Sequence, residues 1–195
     1  ASGTGVYVDD ANASGVNLNA VVAQNGAVVI NTAGPTRATS VSAANDSAGN
    51  NVSLSTSSGD LTLVSVSAGA NNGVVTLASA GSILASGGGT QVTAHAVQFN
   101  GGADIGAVTD LVTGTGTPIL INASELTGAS TTGMGATVSI ENLNMGTWTL
   151  GSGALSMSGG GSAYLRAAGD LDASAGLSVN GNLLLNSQGL LTLPT

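Results

Sequence analysis

The feature that most constrains this chain is a short phrase that returns at a fixed interval. Gly59-Asp60-Leu61 recurs as Gly81-Ser82-Ile83 and again as Ala103-Asp104-Ile105, 22 residues apart each time. Gly169-Asp170-Leu171 stands three such steps beyond the third copy, and a near copy, Ser124-Glu125-Leu126, falls one residue early. A spherical core needs no such clock. A chain wound into stacked coils does, because each coil buries its apolar face only against its neighbours. The phrase residues Gly59, Asp60, Gly81, Ser82, Asp104, Gly169 and Asp170 are therefore expected to form one structural corner of the repeat, aligned in a column along a rod. Asp60 and Asp104 would then lie two coils apart, roughly 10 Å at the strand spacing. Their expected role is turn chemistry, accepting hydrogen bonds from backbone N–H groups; ion binding is the alternative.

Between the corners the chain alternates. Val52/Leu54, Leu61/Leu63, Val75/Leu77, Val97/Phe99, Ile119/Ile121 and Val138/Ile140 are apolar pairs two residues apart, usually with Ser, Thr, Gln or Asn between them. Side chains two apart leave the same face of a strand, so this is strand periodicity. Composition agrees: 42% of residues are hydrophobic, 6% charged and 2% aromatic, and there are 31 glycines and no lysine. Helix surfaces want Lys, Glu, Arg and Gln; Val, Thr, Ser, Asn and Gly suit strands and tight corners. The expected fold is all-β, a right-handed parallel β-helix (β-solenoid) of about 22 residues per coil. Dividing 195 by 22 gives roughly nine coils, a rod on the order of 40 Å long. A single solenoid segment covers 1–195, less regular with longer loops over 1–50 and regular over 51–195. Val108 to Pro118 is expected to be an outward loop. Asn71-Asn72-Gly73 and Asn100-Gly101-Gly102 also admit hairpin turns.

Charge excludes several partners. The net charge is −8, and the only cations are Arg37 and Arg166. Nucleic acid and anionic membrane surfaces both require Lys and Arg, and no apolar run approaches the ~20 residues of a spanning helix. With no cysteine there is no disulfide framework. Ala1 reads as the cut end of a mature protein or a fragment of a larger one.

Catalytic chemistry is thin, and no catalytic, cofactor-binding or metal-binding residue is assigned. Polysaccharide-cleaving β-helices combine clustered carboxylates with Lys or Arg. Here only Asp9-Asp10 and Asp170/Asp172 are close in sequence, though stacking could bring Asp104 near Glu125. His95 is the only histidine, too little for a zinc site, and Val92-Thr93-Ala94-His95 reads as a strand with no nucleophile elbow for a triad. Trp148 is expected to pack inside, with sugar stacking as the alternative. Asn12, Asn45, Asn51 and Asn122 begin Asn-x-Ser triplets, a weak glycosylation signal in so Asn- and Ser-rich a chain.

Val92-Thr93-Ala94, Val97-Gln98-Phe99-Asn100, Ala103-Asp104-Ile105-Gly106 and Pro118-Ile119-Leu120-Ile121-Asn122-Ala123 together resemble the repeat region of filamentous-haemagglutinin-type exoproteins. Gly59-Asp60-Leu61-Thr62-Leu63 and Gly81-Ser82-Ile83 resemble the shorter turns of that family, and the likeness covers roughly 50 to 195. It implies a parallel β-helix in a large bacterial protein that is secreted or displayed on the cell surface, typically exported through a partner outer-membrane pore. It carries no catalytic residues. No secretion-domain motif accompanies it here. The expected function is a non-enzymatic structural or adhesive segment, facing an unidentified receptor or glycan and able to join end to end into fibres. A polysaccharide-binding or polysaccharide-degrading β-helix is the alternative. An ice-binding solenoid ranks last, because Thr62, Thr76 and Thr93 do not keep one column.

Overall fold

The structure, a computed structural model, describes residues 5–195. It is all-β, with parallel strands stacked as a β-solenoid and, among the described residues, no helix. The stack has about eight turns, some 23 residues apart, not nine at 22. One file of register partners traces it from end to end: Val16, Thr36, Leu61, Ile83, Ile105, Val138, Ala163 and Leu183. The steps along this file are 20, 25, 22, 22, 33, 25 and 20 residues, so the 22-residue clock holds only from Leu61 to Ile105. Loops absorb the differences while the inward places stay aligned.

The alternating pairs form the interior. Both members of Val52/Leu54, Leu61/Leu63, Val75/Leu77, Val97/Phe99, Ile119/Ile121 and Val138/Ile140 are at most 1% exposed. A second wall stacks Val6, Val28, Val52, Val75 and Val97 in register, with Ile30, Leu54, Leu77 and Phe99 two places further along each strand. The next place in that file after Phe99 is Ala129, so the large ring is followed by a small side chain. Burying each Leu, Ile or Phe contributes about 1.5–3 kcal/mol, and the apolar side chains form one continuous cluster from Leu18 to Ala173. Trp148 lies within it at 0% exposure, which leaves no face for a sugar to stack on.

The end rungs have a neighbour on one side only. Val8 is 41% and Leu183 37% exposed although both stand at inward places, because no described residue stacks beyond them.

The stretch predicted as an outward loop is an antiparallel hairpin, Ala107–Asp110 with Thr115–Thr117. It accounts for the 33-residue step. Ile105 pairs with Val138 and Ile119 with Ile140, so residues 106–118 leave the wall between two consecutive inward places and return.

Candidate functional site

The corner that carries the repeated phrase is zipped along the rod by side chains as well as by backbone. Asp60 Oδ1 accepts the Ser82 N–H at 2.8 Å, Ser82 Oγ accepts the Asp104 N–H at 3.3 Å, and Asp104 Oδ1 accepts the Thr137 N–H at 2.6 Å. The Thr137 hydroxyl adds a further bond to Asp104 Oδ1 at 3.0 Å. Beside this ladder runs a backbone one: the N–H groups of Leu61, Ile83 and Ile105 donate to the carbonyls of Ser82, Asp104 and Thr137. A corner N–H cannot bond within its own strand, so an oxygen on the preceding coil satisfies it. Asp and Ser carry that oxygen on the shortest side chains available. Asp60, Ser82 and Asp104 are thus in line and engaged in turn chemistry.

The glycines of the phrase answer two different needs. Gly59 takes a φ of +76°, where a side chain is strained. Gly81 lies over the preceding coil so closely that a Cβ would come within 2.7 Å of the Gly59 carbonyl oxygen.

Gly169 and Asp170 do not extend this column. Leu171 pairs with Trp148 and Leu191, whereas the column of Asp60 and Asp104 continues through Thr137 and Ser162. The apparent third multiple of 22 arises because the 33-residue step and a change of corner offset one another. Yet the hydrogen bonds at the two corners agree nearly bond for bond. Ser79 Oγ donates to Gly59 O at 2.9 Å, Gly81 N–H to Gly59 O at 3.0 Å, and Ser82 N–H to Asp60 Oδ1 at 2.8 Å. Ser187 Oγ donates to Gly169 O at 2.8 Å, Gly189 N–H to Gly169 O at 3.1 Å, and Leu190 N–H to Asp170 Oδ1 at 2.8 Å. The phrase encodes a kind of corner, usable at more than one edge of the rod. A signal for its second half was in the sequence: a serine two places before the glycine, in Ser79-x-Gly81 and Ser187-x-Gly189.

Other polar groups inside the rod escaped the sequence reading. Thr32, Thr56 and Ser79 occupy one inward file at the end of a strand. Their hydroxyls face corner carbonyls: Thr56 Oγ1 lies 2.7 Å from both Gly34 O and Ser58 O and donates its one hydrogen between them. Gln91, 1% exposed, donates to Gly89 O and accepts the Leu120 N–H. Asn142, fully buried, accepts the Ala123 N–H and donates to Ala123 O. Each closes a corner whose backbone groups lack a strand partner.

The carboxylates are spent singly. Of ten acids, eight are engaged within the chain. Asp10 caps Asn12, Asp60 and Asp104 hold their corners, and Asp170 holds the other. Glu141 pairs with Arg166 of the next coil at 3.0 Å. Asp46 receives bonds from Asn71 and Asn72; reduced hydration pushes its pKa up, but those bonds outweigh it and hold the carboxyl below its ordinary range. Asp110 is held low by Thr113 and the Val112 N–H, and Asp172 by Ser174. Asp104 and Glu125 are not brought together, since the first bonds Thr137 and the second lies in register with Ala96 and Thr149. Among the described residues no three His, Cys, Asp or Glu side chains converge as a metal site would require. His95 is half-buried at a corner.

Two shallow open grooves lie on the side walls. One, of about 420 Å³, is lined by Asn17, Pro35, Arg37, Asp60 and Thr62. The other, of about 340 Å³, is lined by Ala78, Asn100, Ser130 and Thr132. Neither contains an aromatic platform or a facing pair of acids. No family model, curated protein or solved structure matches the chain.

Proposed function

We propose that this chain is a non-enzymatic structural and adhesive segment of a bacterial protein that is secreted or displayed at the cell surface. The observation that carries the reading is where the side-chain chemistry is used. Asp46, Asp60, Asp104 and Asp170 bond the next coil's backbone, and Glu141 pairs with Arg166 of the next coil. Asp10, Asp110 and Asp172 close their own loops, and the recurrent corner hydroxyls bond a neighbouring coil, so eight of the ten carboxylates brace the rod. The side walls are rows of Ser, Thr and Asn, such as Asn31 with Ser55 and Asn100 with Ser130, joined by hydroxyl-to-amide bonds of 2.6 and 2.9 Å. Such a rod holds a binding surface away from its anchor and presents a repetitive polar face to a receptor or glycan. End-to-end joining through open strand edges is part of the same proposal.

Bead adhesion tests the reading. Beads coated with the 195-residue chain are expected to adhere to cells or to immobilised glycans above uncoated beads, with negative-stain images showing short rods or fibres. Compact particles, or a hydrolytic activity on polysaccharide that vanishes on Asp or Glu substitution, would overturn it.

A further inference from the structure

The hairpin at 107–117 interrupts a wall of the stack just after Ile105. Elsewhere on its wall the coils pair over three residues, as Leu61–Leu63 does with Ile83–Ala85. At Ile105 the pairing is by single bridges, to Ile83 on one side and Val138 on the other, and on the second side it resumes after the hairpin as Ile119–Ile121 with Ile140–Asn142. The chain that interrupts the wall there does not project from the rod. It folds back across the next two rungs, against Thr137–Asn142 and Leu155–Ala167.

Its cover is visible in two outward residues. Ser139 lies between the inward Val138 and Ile140, and its register partner Tyr164 between Ala163 and Leu165. Alternation points both outward, yet they are only 1% and 7% exposed. The equivalent outward places on earlier rungs, Asn17, Arg37, Thr62 and Leu84, are exposed or half-buried. The rim of the Tyr164 ring rests on Gly114, where a Cβ would lie 3.0 Å from Tyr164 Oη and where φ is +66°. The hairpin's own side chains contribute little: Thr109, Asp110, Val112, Thr113, Thr115 and Thr117 are exposed. Closing it also leaves the Ser139 hydroxyl buried without a partner, a cost that water would remove on opening.

We propose that the hairpin is a clasp: it locks three consecutive coils where the wall is interrupted, and it releases as a unit before the coils part. Attachment through Ile105 and Ile119 and contact with the two following rungs make it a staple. Its small buried area and the unpaired Ser139 hydroxyl make it the easier element to open. Release bares Tyr164 and Ser139 and leaves Ile105 joined to Ile83 by a single bridge. The clasp holds whether or not the rod is adhesive.

Hydrogen exchange on the full 195-residue chain tests it. In the unmodified protein the amides of Ala107–Thr117 are expected to exchange together, about tenfold faster than those of Thr137–Asn142. Gly114→Val drives a side chain into the Tyr164 ring. It should speed hairpin exchange by a further factor of about ten and that of Thr137–Asn142 several-fold, leaving Val28–Thr32 and Val52–Thr56 unchanged. Ser139→Ala removes the orphaned hydroxyl without disturbing the wall and should slow hairpin exchange several-fold. A hairpin no faster than its neighbours overturns the proposal. So does Gly114→Val acting nowhere beyond the hairpin or equally on all coils, or Ser139→Ala leaving exchange unchanged or faster.

Discussion

From Leu61 to Ile105 the wall advances 22 residues per coil and every corner is zipped by side chain and backbone. From Ile105 to Val138 it advances 33, yet the inward file continues and the corner bond from Thr137 to Asp104 still forms. The period therefore belongs to the loops, and the file belongs to the core. Extra residues are tolerated because a loop that leaves and re-enters the wall at adjacent places costs only slowly growing closure entropy. A misplaced inward residue would cost a buried side chain. The interrupted region shortens its backbone pairing at Ile105 to bridges with Ile83 and Val138 and keeps its interior.

The largest effect should come from the interior, and it should be alike in both regions. Leu77→Ala in the regular coils and Ile119→Ala in the interrupted rung should each destabilise by about 2–5 kcal/mol in denaturant unfolding. An Ile119→Ala cost well below 1 kcal/mol would mean that the interrupted rung is not part of the load of the core.

Corner geometry ranks next. Gly81→Ala sets a methyl against the Gly59 carbonyl and the Asp60 carboxylate and should cost about 1–3 kcal/mol. Gly88→Ala, with nothing within 4 Å of the new Cβ, should shift the unfolding midpoint negligibly. Asp60→Ala and Asp170→Ala each leave an N–H of the next coil unbonded and should cost about 1 kcal/mol. Equal losses would show that the two corners are one module, and a loss at Asp60 alone would break the equivalence.

Charge effects are smallest. Glu141→Gln should cost about 0.2–1 kcal/mol, an increment that disappears in high salt. Asp46, Asp110 and Asp172 have folded pKa values below the ordinary 3.8. Each therefore adds stability that is fully present above that value and is lost as the pH falls through its lower folded value. Amide exchange in the loops at Asn71, Val112 and Ser174, corrected for intrinsic rates, should rise only in that acidic window. Loosening near neutral pH would contradict the assignment.

Much of the architecture could be read in advance. The pairs Val75/Leu77 and Val138/Ile140 announce strands because alternation is written residue by residue. Asp60 announces a corner because a short acceptor after glycine has little else to do there. The kinship of Gly169-Asp170-Leu171 was legible and its position was not, because counting by 22 cannot register an excursion between Ile105 and Ile119. The burial of Ser139 and Tyr164 was likewise hidden, since alternation marks them as outward and only a segment from another coil covers them. Gln91 and Asn142 look like surface residues in the sequence, and their bonds reach partners 29 and 19 positions away.

The sequence by itself determined the all-β winding, the inward residues and the chemistry of the corners, since these follow from neighbours two or three places apart. Only the tertiary structure decided how many rungs there are, which edge each corner occupies and where the hairpin lies. Those depend on how strands distant in the chain come into register, and packing between coils sets that register whatever the number of residues in the loops.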